Sequence, residues 1–400
     1  MALLDFWKTN PESVLSMNIE QVVSSAGDGR LLDDAASSGE LRAFLGQVQA
    51  KQLRSYAEGC LTNAFPKSGH VLQDVVNELG RRLDFVVTNG RYQGTTNRVG
   101  SDGLWRSPEG HDLIVEVKTT DAYRISLDTI AKYRDEHTRR GDVSTRNSML
   151  IVVGRGDTGE LEAQVRGSRH AWEMRLISVD SLLKLVDLKQ TTEESTTATK
   201  IRGVLRPAEY TRLDGLIDVL FSAAKDVEGR EPLAPERRKG DRSSDWEFTD
   251  PDLLSAKRDL IIAAVSRRFG RPLIQKSRAT FWDSEKSLRV ACSISKRYEL
   301  QKALAYWYAF HPAWDQFLSE GKDAFLVLGG MDIDMCFVLP LDVVRSRLLE
   351  LNTTTKPDGG IYWHLKILET APGKFALQMP RSGNHLPLAD YAESFGVPSL

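Results

Sequence analysis

Three residues in this 400-residue chain have the types and spacing for metal-assisted chemistry: Asp102, Glu116 and Lys118. Leu113, Val115 and Val117 alternate with Ile114, Glu116 and Lys118, the period-2 pattern of a strand. One face is aliphatic and suits a core. The other places a carboxylate and an ammonium two residues apart on the same side. Asp102 lies just before Gly103, on what reads as the preceding strand, with a turn over Ser107 to Gly110. Such a hairpin brings Asp102 beside Glu116 and Lys118. Two carboxylates can hold a hard divalent cation through oxygen. A neighbouring lysine can orient or deprotonate a water, or stabilise charge developing on a phosphate. Asp112 is a rival ligand on the same strand face, but it falls where the turn closes. The competing structural reading makes Asp102 a turn residue and Glu116–Lys118 a solvated edge pair, since aspartate before glycine is common in turns.

The elements that must position these residues are legible on either side. Val71, Leu72, Val75, Val76 and Leu79 form the stripe of an amphipathic helix, with Ser68 as its expected cap and Gly80 near its end. Glu78 sits beside that stripe. Phe85 to Val87 reads as a short strand, and Arg91 to Gly100 as a loop rich in Gly, Thr and Asn. After the Asp102 and Glu116 strands, Leu127, Ile130 and Tyr133 predict a helix over Ser126 to Arg140. Met149 to Val153 is fully apolar, as a strand buried on both faces must be. A helix over Leu161 to His170, a strand over Arg175 to Val179 and a helix over Asp180 to Leu188 complete an α/β sandwich with a mixed sheet.

Around this core the sequence divides into four regions. Residues 1–65 read as an N-terminal helical region, 66–188 as the α/β domain, and 189–250 as a polar and charged linker with one amphipathic helix opening at Pro207. Residues 251–400 read as a second, α+β domain. No apolar run approaches the ~20 residues of a membrane helix, and residues 1–10 lack a basic stretch followed by an apolar core, so no membrane partner or secretion is expected. Cys60, Cys292 and Cys336 are odd in number and scattered, which fits a reducing cytoplasm better than a disulfide framework. The net charge of −2 gives no global attraction to nucleic acid, so any DNA contact must come from local clusters. One such cluster is Arg267, Arg268, Arg271, Lys276 and Arg278, followed by Phe281-Trp282, where cations and aromatics suit phosphate contact and base stacking. Tyr306, Trp307, Tyr308, Phe310, His311 and Trp314 form a dense aromatic stretch, read either as core or as a pocket for an unstacked base.

The residues and segment order around Asp102 resemble the PD-(D/E)xK nuclease superfamily, which includes restriction endonucleases, junction resolvases and recombination exonucleases. The resemblance covers roughly residues 65–185. Asp102-Gly103 looks like the first metal-binding acid, and Glu116-Val117-Lys118 matches the (D/E)xK element. Ser101 stands where the family carries its proline. Thr119-Thr120 and Tyr123-Arg124-Ile125 look like the continuation of several restriction enzymes. What this implies is a restriction-endonuclease-like sheet flanked by helices, hydrolysing phosphodiester bonds with Mg²⁺, or with Mn²⁺ as a substitute. Asp102, Glu116 and the Val117 carbonyl would ligate the metal, Lys118 would help activate water, and Glu78 matches the position of an extra acid. Arg124, Arg268, Arg271, Lys276, Arg278 and Trp282 are then the expected DNA contacts. Double-stranded DNA is the expected partner, and cleavage of both strands implies a homodimer or higher assembly. A restriction or phage-defence endonuclease is the leading expectation. A repair or recombination nuclease, and a non-catalytic DNA-binding or sensor protein on the same fold, are the alternatives.

Overall fold

The computed structural model describes residues 2–63, 65–92, 100–119, 125–154, 159–192, 197–207, 213, 217, 251–300, 303–355 and 361–395. The chain divides into two compact units, Met1–Pro235 and Glu236–Leu400. The first begins with five helices: α1 (Leu3–Thr9), α2 (Pro11–Leu15), α3 (Ile19–Ser25), α4 (Ala36–Leu45) and α5 (Ala50–Thr62). Hydrophobic spacing alone predicts fewer, longer helices here. The breaks come from capping chemistry. The Asn10 side chain accepts the Ser13 N–H ahead of α2, and Asn18 and Gln21 form a reciprocal capping box that restarts the chain as α3. These helices bury Leu3, Val14, Val22, Phe44, Leu53 and Tyr56 in the same core as the helix that follows them and one face of the sheet.

α6 spans Ser68–Arg82. Its N-cap is Lys67, in the left-handed conformation with φ 72°, and Ser68 is the first helical residue rather than the cap. The sheet that follows has the order β1 (Val86–Asn89), β2 (Gly103–Arg106), β3 (Asp112–Lys118), β4 (Asn147–Val153), β5 (Met174–Ser178). β1, β2 and β3 pair antiparallel, and β3, β4 and β5 parallel. The intervening helices are α7 (Leu127–Arg140) and α8 (Gly159–Arg166), with α9 (Val179–Thr191) and α10 (Thr197–Val204) after the last strand.

Strand alternation sorts the core into two layers. Leu113, Val115, Leu150, Val152 and Ile177 join α6 and α9 on one face. Ile114, Met149, Ile151 and Leu176 join Ile130 of α7 and Leu161 of α8 on the other. β4 is thus covered on both sides, which is why its sequence is an uninterrupted apolar run. α6 lies close against β2. Trp105 is fully buried and donates its indole N–H to Asn77 Oδ1 at 2.9 Å. A Cβ at Gly80 would come within 2.6 Å of the Trp105 ring, so only glycine allows this approach.

Among its described residues the second unit holds two six-stranded sheets. One is mixed: Leu288–Ser295 runs parallel to Asp323–Gly330, which pairs antiparallel with Met335–Pro340. The other is antiparallel and includes Ala303–Phe310 paired with Ile361–Ala371. Tyr306, Tyr308 and Phe310 are buried in a core shared with Leu326, Leu328 and Phe337, whereas the alternating Trp307 meets Tyr362 and His364. The molecule is therefore of mixed α/β class. The amphipathic helix expected after Pro207 falls outside the described residues except at 207, 213 and 217; Leu213 and Ile217 are buried in the first unit's core. Among the described residues, no helix is long and apolar enough to cross a membrane.

Candidate active site

The register Gly103↔Val115 continues one step to set Asp102 across from Glu116. Asp102 is held there by its backbone and its side chain together. Its N–H donates to the Val115 carbonyl at 3.0 Å, and its Oδ2 accepts the Val117 N–H at 2.6 Å. Its carbonyl accepts from Gln73 Nε2 at 3.0 Å, from Asn77 Nδ2 at 2.9 Å and from the Gly90 N–H at 2.9 Å. A Cβ at Gly90 would lie 2.0 Å from the Ser101 carbonyl, so that approach also requires glycine. Glu116 and Lys118 share the α7 face of β3, and Lys118 Nζ lies 2.7 Å from Glu116 Oε1. The hairpin expected from the sequence thus brings Asp102, Glu116 and Lys118 together.

The electrostatics of this group are unbalanced. Glu116 is 8 % exposed, and its Oε2 is buried without a hydrogen-bond partner. Burial raises the Glu116 pKa, and Lys118 offsets this only in part. Burial, then the charge of Glu116, push the Asp102 carboxyl up to about 7 against the opposing Val117 N–H and Lys118. Burial disfavours the Lys118 ammonium, but the adjacent Glu116 outweighs it and the net shift is upward. Two acids and one cation therefore leave a deficit of positive charge at a partly buried point.

That deficit, the unpartnered Glu116 oxygen and the oxygen-only donor set fit a hard divalent cation such as Mg²⁺, which needs only one or two carboxylates and keeps several waters. Asp102 and Glu116 would hold it. The Val117 N–H faces the β2 edge, and the carbonyl of a strand residue projects to the same side as its N–H, so Val117 C=O also faces the Asp102 side. Among the described residues, no group of three or more His, Cys, Asp or Glu is arranged to hold a metal.

Several expected participants lie elsewhere. Glu78 does not join this group: its Oε1 accepts from Arg82 Nε at 2.6 Å and its Oε2 from Arg81 at 3.4 Å. Its helical position turns it toward the N-terminal helices, where Arg82 also donates to the carbonyls of Leu45, Gly46 and Val48. Asp112 is at the far end of β3 and accepts the Ser144 N–H at 2.7 Å, a loop-holding role. Arg124 lies outside the described residues. In the second unit, Arg268 pairs with Glu393 at 3.1 Å and Arg271 with Asp323 at 2.9 Å, so both charges are compensated. Arg278 lies in the turn before the Thr280–Trp282 strand. Lys276 and Trp282 do meet, at 4.9 Å from ammonium to ring, and Lys286 joins them at 4.8 Å.

The sequence reading missed the residues that hold the site in place. Gln73 and Asn77 are polar positions four apart on α6, buried among its apolar neighbours. Buried amides on a core-facing helix were the available signal. Ser101 Oγ lies 2.9 Å from His137 Nε2, and His137 Nδ1 lies 2.9 Å from Asp142, tying the residue before Asp102 to the end of α7. Nothing in the sequence links positions 101, 137 and 142. Comparison of the chain with protein-family models, with curated proteins and with solved structures returned no match.

Proposed function

We propose that the chain is a Mg²⁺-dependent DNA endonuclease of restriction or phage-defence type, with a restriction-endonuclease-like core over residues 66–188. The observation that carries this reading is Glu116. It is a buried carboxylate with one oxygen on Lys118 and the other on nothing, across from an Asp102 whose carboxyl is itself starved of positive charge. Such a pair is costly to maintain in a folded protein without a cation to satisfy it. The strand-borne Glu-Val-Lys and the preceding Asp-Gly support the nuclease class over other cation sites.

A bound cation would lower the pKa of a coordinated water and neutralise charge building on the phosphoryl oxygens. Asp102 and Glu116 are the residues that would hold it, Glu116 having a carboxylate oxygen with no other partner. Asp102 is fixed by Gln73, Asn77 and the Gly90 N–H at its carbonyl and by Val117 at its side chain. Lys118 is held as an ammonium by Glu116, which suits it to orient the water and donate to the scissile phosphate rather than to act as the base. Recognition falls to residues 251–400, where Lys276 and Lys286 flank Trp282. Two active sites, one for each strand, make a homodimer or higher assembly the expected working form.

Incubation of the purified chain with Mg²⁺ and plasmid DNA, unmodified and phage-modified, tests this. Wild type is expected to cut, and Glu116→Ala and Lys118→Ala to lose on the order of 10²-fold or more. Binding of DNA without cutting any substrate overturns the enzyme reading. Alanine variants that cut like wild type overturn the site. Cutting of branched DNA alone favours the repair nuclease.

A further inference from the structure

A cavity of about 570 Å³ opens at the opposite end of the parallel strands from Glu116. Asn147, at its base, pairs with Asp112, four residues back along β3 from Glu116. At ~3.3 Å per residue that is about 13 Å from the carboxylate site. Trp172 stands at its edge, 72 % exposed, the most solvent-open tryptophan among the described residues and one with no ring partner there. An indole left in water beside a polar cavity is a stacking surface already in position.

The arginines that line the cavity are paired with carboxylates. Arg134 is bound to Glu173 at 2.6 Å and to Asp135 at 3.3 Å, and all three line the wall. Arg139 is paired with Glu136. His111 is pushed below its ordinary pKa by burial and by Arg206 nearby, so the imidazole is neutral near pH 7. Both arginines of the lining are thus already engaged by carboxylates. What remains is hydrogen-bonding capacity. Asn147 uses its amide N–H groups on Thr138 Oγ1 at 2.9 Å and on the Ser144 carbonyl at 2.6 Å, which leaves Oδ1 to accept. His111 uses one ring nitrogen on Ser148 at 2.9 Å, which leaves Nδ1.

We propose that this cavity binds an uncharged planar heteroaromatic ring with a hydrogen-bonding edge, a nucleobase, stacked on Trp172 and donating an exocyclic amino group to Asn147 Oδ1. The same chemistry is offered by a free nucleoside and by an unpaired base in a strand. The proposal stands whether or not Asp102, Glu116 and Lys118 cleave DNA.

The test uses the full chain carrying Glu116→Gln, so that a strand offered to it survives. Adenosine, guanosine, cytidine and thymidine are titrated separately by calorimetry, alongside a mixed-sequence single-stranded oligonucleotide. Saturable binding is expected, weakest for thymidine, which has no exocyclic amino group. Trp172→Ala should weaken binding on the order of ten-fold, whereas Trp172→Phe retains most of it. Asn147→Ala should remove the discrimination against thymidine. Trp172 is exposed, so its variants are expected to keep the wild-type circular dichroism. Binding of nucleosides identifies a small-molecule site, and binding of the oligonucleotide alone identifies a strand contact; both support the proposal. It is overturned if none of the five probes binds saturably, or if Trp172→Ala binds them as tightly as the unsubstituted chain does.

Discussion

Replacing Asp102 by asparagine should stabilise the metal-free protein, and do so only above acidic pH. In the fold the Asp102 carboxyl titrates at about 7, against an ordinary value of 3.8. A raised carboxyl binds its proton more tightly folded than unfolded. Its favourable contribution is therefore complete below about pH 4 and is lost as pH rises through 7. At 1.36 kcal/mol per pH unit the full span corresponds to roughly 4 kcal/mol. Halving this for the partial exposure of the site leaves about 2 kcal/mol. The substituted amide cannot ionise, and its oxygen can still accept the Val117 N–H. Calorimetry of the metal-free protein at pH 8 should show the Asp102→Asn unfolding transition of the first unit raised by about 4–8 °C. The gain should shrink steadily toward pH 4. Mg²⁺ or Mn²⁺ should raise the wild-type transition at pH 8 and leave the variant nearly unmoved. A variant that is neutral or destabilised at pH 8, or a gain that is the same at pH 4 and pH 8, refutes the charge deficit on which the cation argument rests.

Other perturbations separate the site from its supports. Glu78→Ala leaves Arg82 buried and unpaired and should cost about 3–5 kcal/mol in chemical denaturation; cleavage per folded molecule should stay at the wild-type level, and a selective loss of activity would return Glu78 to the site. Gly80→Ala forces a methyl against the Trp105 ring and should cost about 1–3 kcal/mol, read as a lower denaturation midpoint with an unchanged slope. Asn77→Ala removes the partner of both the Trp105 indole and the Asp102 carbonyl; a loss of about 1–3 kcal/mol is expected, with faster hydrogen exchange at Val117 if Asp102 is released. Ser101→Ala breaks the link to His137 and should cost on the order of 1 kcal/mol, measurable as a shifted urea midpoint.

What was legible along this chain depends on which interactions are local. The β3 pattern at 112–118, the continuous apolar run of β4 and the α6 stripe are written at fixed spacing, because a strand repeats every two residues and a helix every 3.6. They sufficed to place Glu116 and Lys118 on one face and Asp102 beside them, since a hairpin is a short-range structure. The helix start at Asn10-Pro11 is written in the sequence as a cap followed by proline, whereas the breaks near Asn18 and Gly46 were less legible, because capping bonds compete with an apolar periodicity that runs on across them. Glu78 shows the limit of position along a helix. One residue beyond Asn77 is about 100° around the axis, and that rotation, together with the arginine at position 82, sends the carboxylate to the N-terminal helices rather than to the sheet edge.

By itself the sequence determined the α/β order of elements and the Asp-Gly, Glu-Val-Lys pairing, because both follow from periodicity and short turns. Only the tertiary structure decided that Glu116 keeps an oxygen without a partner and that Asp102 is pushed toward neutral pH. It also decided that Gln73, Asn77 and the Ser101–His137–Asp142 chain hold the site, and that a cavity at the other end of the strands gathers Trp172, Asn147 and His111. Those facts depend on burial and on contacts between residues tens of positions apart, and neither is a property of any stretch of chain read alone.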